Sequence, residues 1–166
     1  MQQLVLTILG KDRTGLVEDL SSVILEHHGN WLASNLSHLA GKFAGIVQVE
    51  VAEEHLSELQ KALDSINHLE IRVETGEISQ ADTPEQINLV ITGNDRPGIV
   101  QELASVIRHK GANITHLTSK QQSAPNWGVP LFSAMATVSL PVGMSKDAVI
   151  EALESITPDV IVDVEE

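Results

Sequence analysis

The sequence predicts an α+β fold made of two copies of one small unit, each an antiparallel four-stranded sheet with two helices on one face. Three observations carry that prediction. The stretch Gly93-Asn94-Asp95-Arg96-Pro97-Gly98-Ile99-Val100 has an earlier counterpart, Gly10-Lys11-Asp12-Arg13-Thr14-Gly15-Leu16-Val17. The two lie 83 residues apart (95 − 12), half of the 166-residue chain. Register also holds outward from both: Leu4, Leu6 and Ile8 map onto Ile87, Leu89 and Ile91, and Leu20 and Val23 onto Leu103 and Val106. Self-similarity over such a length marks two copies of one domain.

Each element follows from its period. From Met1 to Leu9 apolar Leu4, Leu6 and Ile8 alternate with Gln3, Val5 and Thr7, the mark of a strand with one strongly apolar face. After the Gly-Lys-Asp-Arg-Thr-Gly turn, Leu16, Leu20, Val23, Ile24 and His27 recur at helical spacing. Glu18 and Asp19 near the start favour the helix dipole, and Gly29 is the expected stop. Asn30–Leu39 and Phe43–Val51 read as strands joined by a tip at Ala40-Gly41-Lys42. Leu56, Leu59, Leu63 and Ile66 give a second helix over Glu53–Ile66, and Leu69, Ile71 and Val73 a last strand. The order is βαββαβ.

Gly76–Glu85 carries Ser, Asp, Thr and Pro without periodicity and reads as a linker. The predicted boundaries are 1–78 for the first domain, 79–85 for the linker and 86–166 for the second domain. In the second copy the strands fall at Gln86–Thr92, Ala112–Gln121, Leu131–Leu140 and Asp159–Val164, and the helices at Pro97–Lys110 and Ser145–Ile156. Each copy is thereby a ferredoxin-like sandwich, the topology that right-handed crossovers favour for a split βαβ unit. The copies differ in one connection. Asn30 to Phe43 spans 13 residues (43 − 30), while Asn113 to Phe132 spans 19 (132 − 113). The excess lies in Ser123–Pro130, which holds Trp127, either a lid on its own domain or a partner contact.

Composition narrows the function classes. The net charge is −13, from 23 acidic and 10 basic side chains. Nucleic-acid binding needs phosphate neutralisation, which such a field opposes, so any control of a gene is expected to run through another protein. There is no cysteine, so disulfides, thiolate metal sites and the Cys-x-x-Cys turn of metal-carrying sandwiches are excluded. RNA-binding sandwiches need aromatic platforms on their central strands. Here those strands read Leu-Val-Leu-Thr-Ile-Leu and Phe-Ala-Gly-Ile-Val-Gln-Val, in a chain without Tyr. His27 and His28 are adjacent and face about 100° apart on a helix, a poor chelating pair. No carboxylate dyad or Ser/His pair stands at a spacing that fixes geometry, so no catalytic residue is assigned. No basic leader precedes the first strand and no apolar run reaches spanning length, so a cytoplasmic protein off the membrane is expected.

The repeated loops are the candidate site. A strand enters a helix at each, so helix N–H groups lack partners within the helix. Asp12 and Asp95 can cap them or brace the loop, and Pro97 suits a first helical turn. Gly15 and Gly98, without Cβ, let a backbone or a ligand come close, and a carboxylate there would meet the positive end of the dipole. Asn30 and Asn113, at the mouths of the second strands, offer donor and acceptor to a zwitterion, or serve as turn residues.

Asp-Arg-Pro-Gly-Ile-Val after the first strand of a βαββαβ unit, with Gly-Ala-Asn-Ile before the second, resembles the ACT domain, a small regulatory module that binds amino acids in many relatives. The resemblance covers both halves. A tandem pair without an attached enzyme is most similar to the glycine cleavage system transcriptional repressor group. It implies a non-enzymatic, amino-acid-responsive regulator, glycine being the implied ligand, with no other cofactor. The implied partner is a DNA-binding activator held by protein contact, with homo-oligomer assembly also implied. In such domains the ligand sits where two modules meet. The implied contacts are Asp95, Arg96, Gly98, Asn113 and Ile114 in the second half and Asp12, Arg13, Gly15 and Asn30 in the first. The first half departs from the motif at Thr14, where Pro is expected, and at Trp31, where Ile is expected. The alternative is an interaction module that has lost its ligand and kept the scaffold.

Overall fold

In the computed structural model, which describes residues 1–77, 84–123, 128–156 and 158–165, the chain divides into two compact units, Met1–Gln80 and Ala81–Glu166. Trp127 and residues 79–83 of the expected linker lie outside the described residues. The first unit runs β1 (Gln2–Lys11), α1 (Leu16–Glu26), β2 (Asn30–Leu39), β3 (Lys42–Val51), a 3-10 turn (Glu53–His55), α2 (Leu56–Asp64) and β4 (Leu69–Thr75). The second repeats it as β5 (Gln86–Asn94), α3 (Ile99–His109), β6 (Asn113–Gln122), β7 (Leu131–Ser139), α4 (Lys146–Glu154) and β8 (Ile161–Glu165). The sheets have strand orders β2-β3-β1-β4 and β6-β7-β5-β8, antiparallel at every pairing. Both are the tandem ferredoxin-like sandwiches that the periodicity predicts.

The alternation in β1 puts Leu4, Leu6 and Ile8 inside, against Val47, Val49 and Val51 of β3 and Leu16, Leu20 and Ile24 of α1. In the second unit Ile87, Leu89 and Ile91 meet Ala134, Ala136 and Val138, with Ile99, Leu103 and Ile107 of α3 above. All of these side chains are closed to solvent, and burying each contributes about 1.5–3 kcal/mol for a Val, Leu or Ile. The opposite sheet face stays open, with Ile46 and Met135 half-exposed at matching positions.

Two sequence expectations need correction at helix ends. Gly29 is not the left-handed residue that stops α1. That position belongs to His28 (φ 61), where the second unit has Gly111 (φ 73). Gly29 answers a packing demand: a Cβ there would lie 2.8 Å from Ile24 Cγ2 and 3.2 Å from Val49 Cγ1. Pro97 does not lie in the first turn of α3 either, since the helix opens two residues later at Ile99.

Candidate functional site

Each strand-to-helix loop is held by a left-handed glycine. Gly98 has φ 90 and ψ −3, and the Ile99 N–H donates to the Arg96 carbonyl at 3.3 Å. Arg96-Pro97-Gly98-Ile99 is thereby a type II turn, with Pro and Gly at the two positions where that turn favours them. Gly15 adopts the same angles, φ 89 and ψ 2. The sequence suggests these glycines admit close approach, but conformation is what requires them. A Cβ at Gly15 would meet nothing within 4 Å, and one at Gly98 only the Glu102 carboxylate at 4.0 Å. Both loops are open above the turn.

Neither aspartate caps its helix. The residues at the cap positions are Gly15 and Gly98, which have no side chain to offer. The aspartates brace the loop to the neighbouring hairpin instead. Asp95 N–H donates to the Pro130 carbonyl (2.7 Å), and its carboxylate accepts from Gln121 Nε2 (2.5 Å). Asp12 N–H donates to the Gly41 carbonyl (3.0 Å), and its carboxylate lies 3.7 Å from His38 Nε2. His38 and Gln121 are equivalent, since each stands opposite a phenylalanine, Phe43 or Phe132, in its sheet.

The arginines turn away from the loop mouth onto their helices. Arg96 makes two parallel bonds to Glu102, at 2.7 and 2.6 Å. This fork holds the guanidinium above its ordinary range and the Glu102 carboxyl below its own, chiefly through the hydrogen bonds themselves. Arg13 meets Asp19 Oδ2 at 2.5 Å and His68 Nε2 at 2.6 Å. The acids are six residues after the arginine in both copies (19 − 13 and 102 − 96), a spacing visible in the sequence but read there only as dipole support for Asp19. Arg13 and Asp12 are exposed, whereas Arg96 and Asp95 are half-buried.

Asn30 and Asn113 open β2 and β6 at the opposite end of the sheet from these loops. Asn30 pairs across Glu50 with Gln3, while the loop follows Gly10. Asn113 likewise pairs across Ser139 with Gln86, while its loop follows Gly93. Seven residues of strand separate the two ends, about 23 Å at about 3.3 Å per residue. Within one unit the expected contacts are therefore two half-sites. A bulge follows each asparagine, at Leu32 in β2 and at Thr115 in β6, and re-aims the strand there.

Beside Asn30, Trp31 packs against the first core, and Ile114 holds the same place in the second. Ile114 lines an apolar cleft of about 10 Å³ with Val100, Leu103, Ile107 and Leu117. Larger concavities lie elsewhere. A groove of about 450 Å³ runs beside Asp19, Glu18, Glu26 and His68. Shallow hollows of about 360 and 220 Å³ occupy matching places on the two open sheet faces. Asp12, Gly15, Asn30, Asp95, Gly98 and Asn113 line none of these. Among the described residues no group of three or more His, Asp or Glu side chains could hold a metal ion. No helix among them is long and apolar enough to cross a membrane.

A family model described as the ACT domain matches residues 2–76. A UPF0237 protein of Methanopyrus kandleri is 37% identical over 68 residues, covering 37% of this chain and 76% of that protein. The chain belongs to the ACT-domain family. The first unit is an ACT module, a regulatory domain, and the second unit repeats its topology. A solved structure of an unknown protein from Galdieria sulphuraria is similar over 99% of this chain and 98% of that one (TM-score 0.86, 28% identity). A second structure, of a protein provisionally named a glycine cleavage system transcriptional repressor, shares the fold over 99% and 98% (TM-score 0.71, 13% identity).

Proposed function

We propose that this tandem ACT protein is a cytoplasmic, non-enzymatic regulator of transcription that responds to a small amino acid, glycine foremost. It acts by contact with a DNA-binding activator, not by reading DNA. The observation that carries the reading is the second loop. Its turn is pre-set by Pro97 and Gly98, its aspartate is braced by Gln121, and the space above Gly98 is open. An amino-acid carboxylate suits the amide groups and dipole at the start of α3. Asn113 supplies the second half-site, with a donor and an acceptor for the zwitterion.

Since the half-sites of one module are about 23 Å apart, one ligand meets both kinds only where a loop faces the strand start of a different module, which a second copy of the chain can supply. Ligand binding and homo-oligomer assembly are then coupled. The amino acid shifts assembly only by its differential affinity for the two states. The net charge of −13 supports action through a protein partner. Likeness in fold to the protein named as a glycine cleavage repressor supports glycine and transcription.

The test is thermal unfolding of the full chain against each of the twenty amino acids. A ligand at a hundredfold excess over its Kd adds about 2.7 kcal/mol to the folded state, a readily visible rise in Tm. A selective rise supports the sensor. A second reading, an adaptor that has lost its ligand, is favoured by the two arginines, both committed to helix acids, and by Trp31, packed beside Asn30. No rise with any amino acid would choose the adaptor.

A further inference from the structure

The two loops are built alike but are held by side chains of different chemistry, and the difference falls at two equivalent positions. The first position is opposite the core phenylalanine, where His38 faces Asp12 and Gln121 faces Asp95. The second is the turn before the last strand. Gly10 lies against Leu69 and the His68 carbonyl, and Gly93 against Val160 and the Asp159 carbonyl. His68 and Asp159 thereby correspond. Both lie near the loop arginine: His68 Nε2 is 2.6 Å from Arg13, and Asp159, whose carboxylate accepts from the Asn94 N–H at 2.8 Å, adds negative charge near Arg96. The first loop is flanked by two histidines where the second has a glutamine and an aspartate.

We infer that the first loop is a proton-responsive switch and the second its insensitive counterpart. A guanidinium can only donate, so the Arg13–His68 contact requires an unprotonated Nε2, with the ring proton on Nδ1. Protonation places a second cation at that contact, which repels Arg13 and competes for Asp19, 3.5 Å from His68 Nε2. At the other flank the sign is reversed: a protonated His38 attracts the Asp12 carboxylate. Protonation of the two rings as the pH is lowered therefore frees Arg13 from one side of the loop and draws Asp12 to the other.

The remaining charges facing these groups are few. His68 shares its groove with Glu18, Asp19 and Glu26 of α1. Near His38, Lys42 at the head of β3 pairs with Leu39 and with Lys11 of β1. Gln121 carries no ionisable group, and Asp159 and Glu102 are carboxylates, so no imidazole flanks the second loop at these positions. The inference does not depend on any ligand, so it stands or falls apart from the sensor reading.

The experiment is a pH titration of the full chain, from 8 to 5.5, following the backbone amide resonances of Gly15 and Gly98 and the Nε resonances of Arg13 and Arg96. The expected result is a sigmoidal transition at Gly15 and Arg13 within this interval, with Gly98 and Arg96 static. The double variant His38→Gln with His68→Asp installs the second module's residues at half-exposed positions where that module folds with them. It should flatten the Gly15 and Arg13 curves. A static Gly15 in the parent chain, equal movement at Gly15 and Gly98, or a Gly15 transition that persists in the double variant would each overturn the inference.

Discussion

In the first module Arg13 reaches one oxygen of Asp19 and a histidine ring, and its loop aspartate stands 3.7 Å from a second histidine. In the second, Arg96 takes both oxygens of Glu102, and Asp95 accepts a 2.5 Å bond from an amide that is always a donor. The turns themselves share angles to within a few degrees. A glycine in the left-handed region sets the path of each loop, and the surrounding side chains decide how firmly it is held and what can loosen it. Duplication kept the first and varied the second.

The largest effects that would break this comparison lie in the cores, which ought to respond alike. Leu20→Ala and Leu103→Ala remove equivalent buried side chains, and each should cost about 2–5 kcal/mol in denaturant unfolding. A pair differing by more than that range would mean that the modules are not packed alike. A sharper contrast comes at Trp31 and Ile114. Trp31→Ala should cost about 2 kcal/mol, below the roughly 3–5 of a fully buried tryptophan because this one is only partly buried. Ile114→Trp must fit an indole into a cleft of about 10 Å³, and overpacking should cost about 1–3 kcal/mol. If Ile114→Trp were neutral, the second module would be free to close over an aromatic as the first does.

Smaller effects test the turns. Gly15→Ala and Gly98→Ala force an L residue to φ near +90 with no clash to relieve, so each should cost about 1–2 kcal/mol, and equally. The smallest concerns the Arg96–Glu102 fork, which is only half-buried and therefore screened by solvent. Glu102 has a depressed carboxyl pKa in the folded chain. The stability it contributes is therefore fully present above the unfolded value of about 4.3 and lost as pH falls through the lower folded value. Glu102→Gln should lower Tm at pH 7, and its difference from the parent chain should shrink as the pH falls toward 3. A Tm difference that is unchanged at pH 3 would assign the effect to packing.

Much of this was legible in the residues. Strand and helix periods identify Leu4, Leu6, Ile8 and their repeats at Ile87, Leu89 and Ile91 because burial acts on every second or third residue and leaves a regular trace. Glycine leaves none, since the same letter answers different demands. Gly98 is fixed by conformation and Gly29 by the nearness of Ile24, while His28 takes the left-handed position usually reserved for glycine. The loop residues Asp12 and Asp95 are readable as loop braces, but their partners His38 and Gln121 come from strands whose register no local pattern reveals. The opposite-end placement of Asn30 and Asn113 likewise follows only from the strand order, in which the first and second strands lie on either side of the third. The resemblance implies a ligand held where two modules meet, and the topology puts the loop and the asparagine of each module at opposite ends of its sheet.

The most direct test of the sensor reading is a calorimetric titration of glycine into the full chain and its Asn30→Ala and Asn113→Ala variants. The account predicts binding by the parent chain that is retained in Asn30→Ala and lost in Asn113→Ala, with the loss repeated in Gly98→Val but not Gly15→Val. Binding that survives in Asn113→Ala and disappears in Asn30→Ala would contradict it, placing the working site on the module with the looser loop.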